Sequence, residues 1–291
     1  MGFRGVEYEE LVRRHRRKEV LVAILATTLL SIVAMAVAYP LVWVAFMSLK
    51  SQSEIFANPW TPPTKPRFEN YVYALQAGGF LQYLKNSAVV VALVVALMAL
   101  LAPPAAYALS RPSLRGRKPV LYVLLASMFI APHVTMVPLY EIMRYFRLID
   151  THLGLVMAYV SSGIPYVIYI VRSAFLMIPK TLEEAARVDG LSTIQIYLRI
   201  MLPIARPALF VALILEALFV WNDFLYPLIL LRSKDLFTVP YGLVIFRGMY
   251  MIKYGPLSAG IMLATLPMAA TYIVVSRYLR SGVAAWMGIK G

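Results

Sequence analysis

No cysteine occurs among the 291 residues, which excludes disulfides, thiolate metal sites and cysteine nucleophiles and says nothing of compartment. Charge is scarce too: Asp, Glu, Lys and Arg make up 14% of the chain, against roughly a quarter in soluble globular domains. With 61% hydrophobic residues, too few polar groups remain to cover a water-soluble core. No GxxxxGK followed by Ser or Thr is present, so nucleotide hydrolysis cannot be assigned to this chain. Of the three histidines, His133 and His152 lack HxxxH or HExxH spacing, and no bound metal is expected. No nucleophile with a base and no convergent carboxylate pair stands out, so the chain does not read as an enzyme.

What is present is a series of apolar runs, with a mean hydropathy of +0.73. Six spans are expected, at 20–46, 87–109, 119–140, 153–176, 205–230 and 257–277. Each has about 20 residues or more, enough for ~30 Å of hydrocarbon. In lipid the backbone must satisfy itself, so the fold class expected is all-α and polytopic. Pro103, Pro104, Pro132, Pro165 and Pro267 lie in or near spans and are expected to bend them. The organisation is a basic tail over 1–19, a first helix over 20–46, an outer loop over 47–81, a transmembrane domain of five helices over 82–277, and a tail over 278–291.

Basic residues orient this arrangement. The run RRHRRKE precedes an apolar stretch too long for a signal-peptide core, so it reads as the cytoplasmic flank of an anchor. With both termini inside, Lys and Arg divide 18 to 10 in favour of the inner side, as the positive-inside rule requires. The net charge of +14 is then topology in a cell membrane, and nucleic acid is not expected as a partner.

One inner segment breaks the apolar pattern. Over 180–207, KTLEEAARVDGLSTIQIYLRIMLPIARP, the chain writes helix, turn, helix. Thr181 stands three residues before Glu184, a capping-box pattern. Gly190 sits where a left-handed C-terminal cap is wanted. Ser192 and Gln195 repeat the capping box, and Pro203 and Pro207 are expected to end the second helix. So short a helix is marginal alone. Glu183, Glu184, Arg187 and Asp189 suit a protein partner better than an anionic lipid surface, the other place an interfacial helix could lie.

The spacing of Glu184-Ala185-Ala186, Gly190, Ile200 and Leu202-Pro203 resembles the cytoplasmic signature of permease subunits in binding-protein-dependent ABC importers. From about Asn70 onward, NSAVVVALVV, AAYALSR, VPLYEIMRYFRLIDTHLGL, WNDFLYPLILL, TVPYGL and the terminal IKG resemble the carbohydrate-uptake branch, of the maltose permease G-subunit type. The resemblance implies a type I ABC importer permease fold. It implies two ATPase subunits that bind the ATP and Mg, a second permease subunit and an extracytoplasmic solute-binding protein. The segment 180–207 would couple to the ATPase through Glu183, Glu184, Ala185, Ala186, Asp189 and Gly190, with Ile200, Leu202 and Pro203 completing the motif. The tail AAWMGIKG departs from the usual small-residue run.

Glu216 is the acid inside the fifth span, where an ionisable group costs at least about 2 kcal/mol unless paired or hydrated. It reads either as a structural partner of an Arg, Tyr or Ser on a neighbouring helix or as part of a substrate path that binds sugar hydroxyls. Spacing allows Asp223 on the same helix face. Asn222 and Asp223 are candidates for an outer gate, and Asn86 for a cap on the second span. The leading alternative is an ion-coupled secondary sugar transporter using Glu216; such proteins often carry inverted repeats, and none is evident here.

Overall fold

The computed structural model describes residues 3–76, 79–111, 116–246 and 252–287, with side chains described from Glu19 to Tyr272 apart from Ile245 and Phe246. The side chains of most of the basic tail, the middle of RPSLRGRK and the terminal IKG therefore lie outside the described residues. Among the described residues there is no strand.

Helix α1 spans Phe3–Ser48; the segment expected as a basic tail is helical from Phe3, and the part long and apolar enough to cross a membrane is Glu19–Ser48. Val20 to Val42 are exposed, an apolar surface suited to hydrocarbon. Two short helices follow, α2 (Gln52–Ala57) and α3 (Glu69–Leu75). They pack against the last helix and close one end of the molecule. Lys50 is wholly buried beneath them and donates to the Asn58 carbonyl at 2.6 Å.

The centre is the pair α4 (Phe80–Ser110) and α7 (His152–Met177). On α4, Val90, Val94, Met98, Ala102 and Ala106 recur every four residues, and all are essentially inaccessible. On α7, Leu155, Tyr159, Val167, Val171 and Phe175 follow the same period, with Gly163 completing the row. Side chains four apart form a ridge along a helix, and these two ridges make the core.

The third expected span, 119–140, is instead two helices. They are α5 (Arg117–Ser127) and α6 (Pro132–Tyr145), bent 106° from one another. The cause is Pro132, which forces Ala131 into extended backbone (ψ 135°) and so ends the preceding helix. After α7 come α8 (Lys180–Val188) and α9 (Thr193–Ile196). A π-helical turn over Tyr197–Met201 leads into α10 (Leu202–Asn222).

Pro203 and Pro207 do not stop this helix as expected. The Leu202 amide bonds back to the Tyr197 carbonyl, one residue further than in an α-helix. That wider turn moves the ladder past Pro203, which has no amide hydrogen. The fifth span also ends sooner than the expected 230. Asp223 is in extended backbone, and α11 (Leu225–Leu230) is separate. Beyond it lie α12 (Val239–Gly242) and α13 (Tyr254–Met287).

Four described helices are long and apolar enough to cross a membrane, or five if α5 and α6 form one broken span. The sixth expected span, 257–277, falls within α13 and runs beyond the last described side chain.

Asn86 does not cap the second span. It lies inside α4, buried, and donates to the Asp235 and Phe237 carbonyls at 2.7 and 3.0 Å. Beside it the Ser87 hydroxyl accepts from the Val239 amide at 2.9 Å. Asn86 and Ser87 thus stitch α4 to the segment leading into α12. On the same end, Asp150 (φ 58°) accepts from the Arg232 and Ser233 amides at 2.8 and 2.9 Å. His152 contacts the Leu236 carbonyl at 3.0 Å, which gives it a structural role.

Candidate functional site

At the opposite end α8 and α9 form the expected helix–turn–helix, with one cap where two were expected. Pro179 is the N-cap of α8, and no side chain caps it, so the Thr181–Glu184 box is not formed. The Ser192–Gln195 box is: the Ser192 amide donates to Gln195 Oε1 at 2.8 Å, and the Gln195 amide to Ser192 Oγ at 3.4 Å. Gly190 has φ +81°. Its amide bonds the Arg187 carbonyl and the Leu191 amide bonds the Ala186 carbonyl, each at 3.0 Å. These are the two bonds of a Schellman cap, which needs a left-handed residue at this position.

The turn splits the motif between two faces. Glu184, Ala185, Arg187, Asp189 and Gly190 are exposed, whereas Glu183 and Ala186 are buried. Glu183 points inward and forms an ion pair with Arg111, which follows α4. The Arg111 guanidinium lies 5.1 Å from the Tyr107 ring centroid and donates to Met201 Sδ at 3.7 Å. Tyr107, Phe175 and Tyr197 pack as an aromatic cluster beneath it. Ile200, Leu202 and Pro203 are half-buried and root α9 and α10 beside this cluster.

Sequence reasoning missed Arg111, although AAYALSR carries it. It also missed the apolar part of the exposed face, where Val188 is 87% and Ile194 70% accessible. Apolar groups so exposed beside Glu184 and Asp189 make an amphipathic surface.

The second site is a cavity of about 640 Å³ between the α5–α6 elbow, α7, α10 and α11. Glu216 lines it at 4% exposure, and its Oε1 finds no hydrogen-bond partner among the described residues. Gly163 on α7 makes room for that carboxylate, since a β-carbon there would overlap it. Ser161, Ser162, Thr135, Tyr166 and Tyr226 bring hydroxyls to the same wall. The structural reading, in which Glu216 meets an Arg, Tyr or Ser by hydrogen bond, finds no support in the Oε1 contacts.

Asp223 does not share a helix face with Glu216, because α10 has already ended. Its Oδ2 accepts from Tyr159 Oη and from the Tyr226 amide, each at 2.9 Å. Asn222 donates to the Leu218 carbonyl at 2.7 Å. Both line an adjacent open groove that shares Leu215 and Phe219 with the cavity. Among the described residues no group of three or more His, Asp or Glu could hold a metal ion.

Residues 103–283 match the family described as binding-protein-dependent transport system inner membrane component. A probable ABC transporter permease protein of Bacillus subtilis, YurM, is 34% identical over 88% of this chain and 85% of its own length. The diacetylchitobiose uptake system permease protein NgcG of Streptomyces coelicolor is 32% identical over 90% and 87%. Among solved structures, a bacterial ABC transporter involved in the import of the acidic polysaccharide alginate superposes with a TM-score of 0.78. Its chain is 25% identical, with 90% of this chain and 98% of that one covered.

Proposed function

As the chain belongs to the family of binding-protein-dependent transport system inner membrane components, and is a multi-pass permease subunit of an ATP-driven ABC importer, we propose that it admits a sugar or related polyol by alternating access. The substrate would arrive from an extracytoplasmic binding protein. The observation that carries this reading is the exposed helix α8, closed by the Gly190 turn, on a chain without a phosphate loop. Relatives named for diacetylchitobiose and alginate uptake support the choice of carbohydrate. Family membership sets aside the ion-coupled alternative.

In this reading both termini are cytoplasmic and α8 docks on one of two ATPase subunits, which bind the ATP and Mg. Glu184 and Asp189 supply charged contacts, Ala185 lets the partner approach closely, and Gly190 shapes the turn. Glu183 holds α8 to α4 through Arg111. Ile200, Leu202 and Pro203 carry the motion into α10. A second permease subunit, different from this chain, completes the passage. Glu216 lines it, while Asn222 and Asp223 shape its neighbouring rim.

Purification of the tagged chain from its native membrane tests this assembly. An ATPase, a second permease and a solute-binding protein should come with it. A chain that came alone and moved sugars down an ion gradient in vesicles would overturn the proposal.

A further inference from the structure

The cavity beside Glu216 has a chemical bias that its shape alone does not reveal. Among the described residues its lining carries one carboxylate, six hydroxyl-bearing side chains and no Lys, Arg or His. Glu216 is 96% shielded, with Oε1 unpartnered. A carboxylate held in an apolar surround lacks the stabilisation that water gives it, and inside a span such a group is costly unless something pairs with it. Gly163 keeps the space beside it clear, so the acid is accommodated rather than crowded out. The Ser127, Thr135, Ser161 and Ser162 hydroxyls donate to backbone carbonyls of their own helices, so Glu216 Oε1 is left without a donor, and a ligand can bring one. At about 640 Å³ the cavity falls within the roughly 300–1,000 Å³ of small-molecule sites.

We propose that Glu216 makes this cavity a charge filter, which accepts the hydroxyl and amine donors of neutral or amino sugars and rejects sugars bearing a uronic acid. The inference rests on reading the cavity as part of the substrate passage. A neutral sugar offers hydroxyl hydrogens to the carboxylate, and its ring can lie against Tyr166, Phe219 or Tyr226. An amino sugar adds a charge of the right sign. A uronate brings a second carboxylate into a space with no counter-charge, beside the first. The filter acts while Glu216 is ionised, and no Lys, Arg or His among the described lining residues offsets the incoming charge.

The native chain has no cysteine, which allows a direct test on the full-length protein in native membrane vesicles. Thr135→Cys places one thiol on the cavity wall. Its modification rate is measured with methanethiosulfonate reagents of similar size, one a trimethylammonium cation and one a sulfonate anion, and the rate ratio is compared with that of a free thiol. The cationic reagent should be favoured by at least about tenfold, the scale of a unit charge several ångströms away at an effective dielectric near 20. Glu216→Gln should collapse the preference, and Glu216→Asp should keep it. Should Glu216→Gln fail to fold, the ratio with Glu216 present still decides. A ratio equal to that of the free thiol, or one unchanged in Glu216→Gln, overturns the filter and leaves the passage standing. A thiol unreactive to both reagents overturns the passage reading and the filter together.

Discussion

Removing one member of the Arg111–Glu183 pair should uncouple α8, the helix proposed to dock on the ATPase, from the bundle behind it. The side chains retain 13% and 9% of their accessible surface, so each depends on the other for compensation. Breaking a buried pair from one side costs about 3–5 kcal/mol, because the survivor is left charged and unpaired. Arg111 also keeps its place over the Tyr107 ring, a contact worth ~0.5–2 kcal/mol, so Glu183→Gln should fall near the lower end, about 3 kcal/mol. At roughly 2–4 °C per kcal/mol for a chain of a few hundred residues, that is a fall of about 6–12 °C in the melting midpoint. Replacing both residues with Met should recover much of the loss, since an apolar pair of similar volume leaves no orphaned charge. The assay is a double-mutant cycle by heat denaturation of the purified complex, read beside substrate moved per ATP hydrolysed. Glu183→Gln should lower that ratio, and the charge-swapped Arg111→Glu/Glu183→Arg chain should restore part of it. Single variants costing under about 1 kcal/mol and adding in the double would refute the linkage.

Gly190, Gly163 and Asp150 each carry a further expected outcome. Gly190→Ala should cost about 1–2 kcal/mol through its left-handed backbone, and Gly190→Pro should abolish ATPase association while membrane insertion, read by protease protection, stays normal. Gly163→Ala should drive the Glu216 carboxylate out of its niche, lowering transport by at least the effect of Glu216→Gln; equal activity would show the niche is slack. The Ser233 hydroxyl, then the Ser233 and Arg232 amides, hold Asp150 below the ordinary carboxylate range. Its contribution is therefore present above the unfolded value near ~3.9 and is lost as pH falls through the lower folded value. Heat stability of the native chain should drop over that acid window, and Asp150→Asn, whose residue type tolerates the positive φ, should flatten this component of the profile.

Local chemistry was legible in the sequence, and long-range chemistry was not. The Ser192–Gln195 box and the Gly190 turn depend on residues within five positions of each other, and both stand where spacing put them. The Thr181–Glu184 box had equal local merit, but α8 starts directly from Pro179 without a side-chain cap. Pro203 and Pro207 read as stops until a π-turn moved the hydrogen-bond ladder by one residue. Asn86 suits a cap in isolation, yet its partners lie about 150 residues away, at Asp235 and Phe237. Glu183 read as part of the outward surface for the same reason: its partner Arg111 belongs to another helix end. The burial of Glu216 followed from its place in an apolar run. The elbow and Gly163, which turn that burial into a cavity, needed the packing of α5, α6 and α7.

The most direct test of the central claim uses the exposed tip of α8. A photo-activatable cross-linker attached at Val188→Cys, in the otherwise cysteine-free chain, is activated in native membranes and the adducts are identified by mass spectrometry. The same linker at buried Ala186→Cys serves as the control. An adduct with an ATPase that carries a phosphate-binding loop, formed from position 188 and not from 186, is the expected result. Adducts with lipid alone would contradict it and return α8 to an interfacial role.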